Sequence, residues 1–417
     1  MAASATTTPS PAEDYSDTGY AISVALVDSA NAADGEPAPV EGVTISVTDQ
    51  SGAEIGREET DEDGKVDIPL PGKGTYVVHL DAETLPKDAE LSGSATSEPQ
   101  RVMLKTPKSV QFQIGVGEVE KDSFASRFQT SLISGVKFGL IIALAALGLS
   151  LIFGTTGLTN FSHGELITFG AIMTYVFNQG FGLPVILAGV LAVVAGAAFG
   201  WAQDAALWRP LRRRGTGVIA MMIVSIGLGL LLRNVFQYAF GDSTRSYSEY
   251  TTQQRQDYGF ISLAPKEIGI IVISVAVIAL VCVGLMKTRL GKATRAVSDN
   301  PALSASSGLR VDGVIRSVWV LGAALSALAG VLLGVNSQVN FLSGYKLLLL
   351  VFAAVTLGGL GTIWGALLGS LVIGIMTEVG PLFGVPGSIK EVGALVVLIV
   401  VLLVRPQGIL GRKQRIG

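Results

Sequence analysis

The chain is poor in the residues that make metal, disulfide and redox chemistry. It has one cysteine, Cys282, and two histidines, His79 and His163, in 417 residues. One thiol excludes a disulfide framework within the chain. His79, in TYVVHL, has no co-ligand spacing and reads as a strand residue. Charged residues make up only 15%. No stretch fits G-x-x-x-x-G-K-[ST], so the chain carries no phosphate-binding loop of its own, and no constellation for hydrolysis or redox catalysis stands out. The chain is expected not to be an enzyme, with no catalytic residue, no metal and no bound cofactor. The first residues, MAASATTTPSPAEDYSDTG, lack a basic start followed by an apolar core and do not form a signal peptide.

What the chain has in quantity is apolar. Hydrophobic residues are 49% of it and mean hydropathy is +0.53, which points to lipid as the solvent for most of its surface. Glycine, at 51 against 16 prolines, fits helices that pack closely in a membrane. Net charge is −3, with acid concentrated in the first part and base in later loops. That split indicates a topology rather than a nucleic-acid partner.

Composition divides the chain. Residues 1–19 read as a disordered lead. Residues 20–117 alternate in short runs (VTISVT, KVDIPL, TYVVHL) broken by DQSG, DEDG and PGKG, the pattern of an antiparallel β-sandwich. Asp61, Glu62 and Asp63 ahead of Gly64 suggest a calcium loop, but the bidentate Glu of an EF-hand is missing, and a solvated hairpin turn is the simpler reading. Residues 118–130 are a linker. From 131 to 404 come eight or nine apolar runs, near 131–154, 164–178, 183–206, 218–240, 267–286, 315–335, 345–359, 362–380 and 389–404. Crossing about 30 Å of hydrocarbon takes ~20 residues. The second and seventh runs are short enough to enter only part way. The expected fold is therefore a polytopic α-helical membrane protein of about 8–9 transmembrane helices with an N-terminal all-β sandwich domain.

Basic residues orient it. Residues 208–217 carry Arg209, Arg212, Arg213 and Arg214. Residues 287–316 carry Lys287, Arg289, Lys292, Arg295, Arg310 and Arg316. The tail, 405–417, adds Arg405, Arg412, Lys413 and Arg415. The positive-inside rule makes all three cytoplasmic, which places the sandwich outside the cell membrane. A polar domain outside needs a translocation signal, so a cleaved signal peptide with Met1 not the native start is expected; the opposite topology is the alternative.

Between the first two apolar runs lies GTTGLTNFSHGELITFGA. Asn160, Phe161, Ser162, His163, Gly164 and Glu165 form a candidate substrate pathway, because polar groups beside a membrane helix must face protein, water or the interface, and unwound segments of transporters expose backbone near a pathway. A plain cytoplasmic turn with Ser162 as N-cap is the competing reading. Two further charges, Arg233 and Glu378, lie about 15 residues into their runs, near one depth. They are expected either to pair or to snorkel separately. Glycines at four-residue spacing (135/139, 196/200, 330/334, 365/369) read as helix-packing faces.

Several of these elements resemble the permeases of the branched-chain amino acid transport family of ATP-binding cassette importers. That family's Gly-x-x-Asn-Phe-Ala-His-Gly-Glu element is matched by Gly157, Asn160, Phe161, His163, Gly164 and Glu165, with Ser162 for alanine. Its T-x-x-G-x-x-x-R-A stretch is matched by Thr288, Gly291, Arg295 and Ala296, and an Ala-x-x-Gly element by Ala305 and Gly308. A G-G-x-G-T-x-x-G-A element is matched by Gly358, Gly359, Gly361, Thr362, Gly365 and Ala366. The ending R-P-x-G-[IL]-x-G is matched by Arg405, Pro406, Gly408, Ile409 and Gly411. Asn300-Pro301 and the N-terminal domain depart from the pattern. The N-terminal stretch is similar to the carboxypeptidase-regulatory-like and transthyretin-like sandwiches, through Thr60, Asp61, Gly64, Gly74 and Tyr76.

The resemblance implies a permease subunit importing branched-chain or other small amino acids, with urea or another amide as the alternative solute, and a passive channel or ion-coupled carrier as the competing class. It implies ATP used by two partner ATP-binding subunits, a second permease subunit, identical or homologous, and an extracytoplasmic solute-binding protein. Arg295, Ala296, Ala302, Ala305 and Gly308 become candidates for ATPase coupling, on a short helix starting at Pro301. Gly358, Gly359, Gly361 and Gly365 become candidates for helix packing or turns.

Overall fold

The computed structural model describes residues 18–33, 36–49, 51–81, 84–85, 97–102, 108–114, 124–250, 253, 256–257, 262–385, 392–393, 395–396, 399–400, 403 and 408–410. The chain forms two compact units, Met1–Ser123 and Phe124–Gly417. The 1–19 lead and the 405–417 tail lie mostly outside the described residues, as does most of the ninth expected span, 389–404; of the expected 118–130 linker, 118–123 lie outside them and 124–130 are instead the first turns of a long helix.

The first unit is two sheets. One carries β1 (Tyr20–Ala33), β2 (Glu36–Pro39), β5 (Lys65–Leu70) and β8 (Lys108–Ile114), with β8 parallel to β1. The other is ordered β4 (Glu54–Glu59), β3 (Thr44–Asp49), β6 (Gly74–Leu80), β7 (Ser97–Val102). Alternate residues of β1, β3, β5 and β6 are buried, so Ile22, Val24, Leu26, Ile45, Val47, Val66, Ile68, Leu70, Val78 and Leu80 form one core. Buried Thr60 ties the strands together, donating to Val40 O and accepting from Val43 N. The Asp61–Gly64 turn uses its carboxylate locally. Asp61 Oδ1 accepts from the amides of Asp63 and Lys65, and Gly64 takes φ +69° with its Cα against Leu26 O. His79 is a strand residue, bonded to Thr48 Oγ1 at 3.0 Å. Among the described residues no cluster of metal ligands occurs.

The second unit is helical: α1 (Phe124–Thr156), α2 (His163–Tyr175), α3 (Val185–Gln203), α4 (Arg209–Arg213), α5 (Val218–Phe240), α6 (Pro265–Lys287), α7 (Arg289–Asp299), α8 (Pro301–Ser306), α9 (Val311–Asn336), α10 (Ser343–Gly358) and α11 (Ile363–Val379). Residues 204–208 continue α3 into α4 as a π turn. Six helices among the described residues are long and apolar enough to cross a membrane: α1, α3 with α4, α5, α6, α9, and α11 with its last turn. The chain is a multi-pass membrane protein. α2, continued by a π turn over residues 176–180, and α10 reach ~27 and ~24 Å, short of the ~30 Å of hydrocarbon.

Glycine builds the bundle. Gly135 and Gly139 lay α1 against Gly374 and Leu371 of α11. Gly196 and Gly200 lay α3 against Ala327 and Ala323 of α9. Gly330 brings α9 onto Ile167 of α2. At each, a Cβ would fall inside van der Waals distance of the neighbouring helix. Lys137 of α1 and Glu267 of α6, both buried, form an ion pair, and Glu267 Oε2 accepts the Ala264 amide at the start of α6.

Gly330→Val should destabilise the protein by about 1–3 kcal/mol or more, since the added atoms meet backbone that cannot rotate away. Gly284, with nothing within 4 Å of where a Cβ would stand, should accept alanine with a change within about 1 kcal/mol. Thermal unfolding in detergent compares the two; equal effects would show that α9 and α2 do not touch at Gly330.

Candidate functional site

Two helices of the bundle start inside it. After α1 ends at Thr156 the chain turns through residues 157–162 and begins α2. After α9 ends at Asn336 it turns through residues 337–342 and begins α10. The turns have the same chemistry: Asn160 follows Thr156 at the interval at which Asn340 follows Asn336, and each begins Asn-Phe-x-x-Gly. Asn160 Oδ1 accepts from Ser162 N at 3.1 Å, and Asn340 Oδ1 from Leu342 N at 2.9 Å. Both are Asx turns that end the approach and start the helix. The two helices run antiparallel and overlap by their first turns. Gly164 lies against Gly344 and Leu348, and Thr168 Oγ1 accepts the Gly344 amide at 3.1 Å.

The first turn is sealed. Asn160, Ser162, His163 and Glu165 are at most 2% exposed, so it is not a surface turn. Ser162 sits at the N-cap but makes no capping bond; its hydroxyl donates to Asn160 Oδ1. Phe161 N donates to Ser225 Oγ of α5, and the Phe161 ring lies 5.2 Å from that of Phe352 on α10. His163 Nε2 lies 3.0 Å from Ala145 O and 2.9 Å from Ser326 Oγ, whose own hydroxyl donates to Gly322 O. A carbonyl can only accept, so the network assigns the proton to Nε2 and leaves Nδ1 without a partner. Asn160 Nδ2 and Glu165 Oε2 are likewise buried without partners.

Beside this turn stands Arg233 of α5, its Nε 3.5 Å from Glu165 Oε1 and its guanidinium carbon 3.8 Å from the ring centre of Tyr345 on α10. Arg233 is thus paired with Glu165, which was neither of the two expected outcomes, a pair with Glu378 or a charge snorkelling on its own. Depth sets the level of a charge, but helix order around the bundle sets its neighbour, and α5 packs on α2. Arg233, Ser225, Ser326 and Tyr345 were not legible as one group. The repeated Asn-Phe-x-x-Gly was the available signal for Tyr345.

The coupling candidates lie apart from this turn. Asn300 caps α8 by accepting from Leu303 N at 2.9 Å, with Pro301 as its first residue. Ala302, Leu303, Ala305 and Gly308 are exposed, Gly308 at φ +87°. Arg295 donates to Leu285 O, fastening α7 to α6, and Ala296 is half-buried beside it. Ser298 Oγ of α7 donates to Gly154 O of α1. The glycine candidates sit at the α10–α11 turn. Gly358 and Gly365 are in backbone contact, while Gly359 and Gly361 take φ +110° and +76°. The amides of Ile409 and Leu410 donate to Leu357 O and Gly358 O, so the ending segment caps α10.

Nearby basic residues are consumed by local carboxylates. Buried Asp204 takes Arg212 at 2.7 Å and Arg316 at 3.7 Å, and Asp312 takes Arg209 and Arg213, each at 3.3 Å. Trp208 and Trp319, fully buried, stack beneath them at 5.3 Å.

Residues 131–404 match the family model described as the permease component of the branched-chain amino acid transport system. The chain is similar to the high-affinity branched-chain amino acid transport system permease protein LivH of Escherichia coli (strain K12), 30% identical over 305 residues, covering 69% of this chain and 96% of the relative. It is 30% identical over 302 residues to BraD of Pseudomonas aeruginosa, described in the same words, covering 68% and 95%. The probable LivH of Methanocaldococcus jannaschii is 30% identical over 293 residues, covering 67% and 91%.

If the two turns are equivalent, Asn160→Ala and Asn340→Ala should each cost about 1 kcal/mol, the net worth of the turn hydrogen bond each would lose. Unfolding midpoints in detergent would check this; a cost confined to one of them would break the equivalence.

Proposed function

The chain belongs to the family of branched-chain amino acid transport system permease components, and from that premise we propose that it is the membrane permease subunit of an ATP-driven importer of branched-chain or other small amino acids. One observation carries the reading: the family match spans nearly the whole helical unit and takes in both interrupted helices. In a bilayer, backbone released from helices is tolerated where it is buried in protein or lines a pathway. The turn at residues 160–165, with its free polar atoms, is the pathway element, and its counterpart at residues 340–345 faces it. A second permease subunit, two ATP-binding subunits that use the ATP, and a solute-binding protein complete the assembly.

α8 is the element that receives the ATPase stroke. Its exposed side carries alanines and Leu303, small and apolar enough to seat in a groove, and α7 ties it to α1 through Ser298 and to α6 through Arg295. The bundle end bearing these loops is cytoplasmic by its arginines and lysines. The sandwich is then on the outer side, where it can hold or orient a solute-binding protein.

Leu303→Asp and Ala305→Asp alter exposed positions, so the protein should reach the membrane at its normal level while uptake falls at least about 10-fold, given the cost of a charge in an apolar groove. Uptake and co-purification with the ATPase subunits measure this, and normal values for both would remove α8 from coupling. Protease added to intact cells should cleave the sandwich and leave the helical unit; protection there with cleavage in inverted vesicles would reverse the topology.

A further inference from the structure

The charge pair where the two interrupted helices meet is not needed to hold them. Their first turns are already joined by Gly164, Gly344 and Thr168. The pair is also poorly made. Arg233 Nε has no hydrogen-bond partner at 3.5 Å from Glu165, and Glu165 Oε2 has none at all. Glu165 is 2% exposed, whereas Tyr345, whose ring Arg233 covers, is 40% exposed. The acid is therefore sealed, and Arg233, its side chain 22% exposed, is the more accessible of the two.

Resting on the transport reading above, we infer that Glu165 and Arg233 are the solute-recognition pair: a zwitterionic α-amino acid displaces their mutual contact, its ammonium going to Glu165 and its carboxylate to Arg233 above Tyr345. Charge is conserved in this exchange. The protein parts one ion pair and makes two, so neither buried charge is left alone. A solute with only one of the two groups leaves Glu165 or Arg233 uncompensated, and a neutral amide compensates neither, which is a heavy penalty away from water. The local field agrees. The N-termini of α2 and α10 both end at this junction, and their dipoles favour a carboxylate there. Asn160 Nδ2 and His163 Nδ1, buried in the same turn without partners, supply one free donor and one free acceptor.

Binding is read on the full-length protein in nanodiscs without a solute-binding protein, which would otherwise sort the solutes first. The probes are leucine, its carboxamide and 4-methylpentanoate at millimolar concentration. Leucine should raise the melting temperature by about 2 °C or more, as a ligand of the native state does, and the single-charge analogues should not. Glu165→Gln should restore a shift by 4-methylpentanoate, and Arg233→Gln a shift by the carboxamide, a solute-matched rescue that a structural ion pair would not give. Glu165→Gln with Arg233→Gln should abolish the leucine preference. A leucine shift that survives the double substitution, or equal shifts by all three probes in the unaltered protein, would overturn the pair's role. Leucine uptake by the reconstituted importer tests the transport reading separately. Uptake that ignores the pair would sink this inference alone, and binding without uptake would sink the transport reading alone.

Discussion

A helix that starts inside a membrane leaves backbone amides that water cannot reach, and the second unit is arranged around satisfying two such starts. Asn160 and Asn340 each fold the chain back onto its own amides, Thr168 takes the Gly344 amide, and Ser225 takes that of Phe161. Those bonds require α2, α5 and α10 to approach within contact distance. The glycines make the approach possible, and α1 and α9 enclose the result. His163 acts in the same sense: by donating to Ala145 O and contacting Ser326, it joins α2 to both enclosing helices. The motif around His163 therefore has a structural account besides the pathway role proposed for it.

Much of this was legible in the sequence because hydropathy and turn chemistry are local. Period-2 alternation marked the strands of the sandwich, and the apolar runs marked α3, α5, α6, α9 and α11 within a few residues and α1 without its more polar first two turns, 124–130. The two short runs correspond to α2 and α10, whose brevity was the visible trace of helices starting within the bundle. Asn300-Pro301 marked the start of α8 because an N-cap followed by proline is a local signal. What escaped was long-range. Lys137 and Glu267 lie far apart in sequence, and nothing near either names the other. Arg233 was recognised as a charge needing a partner, but its depth pointed to Glu378, whereas the packing of α5 on α2 supplies Glu165. Ser326 and Tyr345 look like ordinary residues until the inverted arrangement of the two turns brings them to the junction.

The buried ion pairs divide by what surrounds them. Lys137 and Glu267 are enclosed on both sides, and Glu267 also holds the Ala264 amide. Removing one partner would strand a charge, while a matched apolar pair could replace both. Asp204 gathers two arginines from separate segments, so it fixes where the end of α3 meets the start of α9. Arg209 and Arg213, turned toward Asp312, are not free to serve as a basic surface, which leaves the exposed apolar side of α8 as the more distinctive face of that end.

The glycine contacts also settle where the bundle yields. Helices touching backbone to backbone have no rotamers between them to rearrange, and Gly148 against Gly322 joins the α1–α11 pair to the α3–α9 pair, so the four form one closely keyed block. α5 and α6, which present much of their length to the surroundings, lack this bracing on their outer faces and are the compliant members.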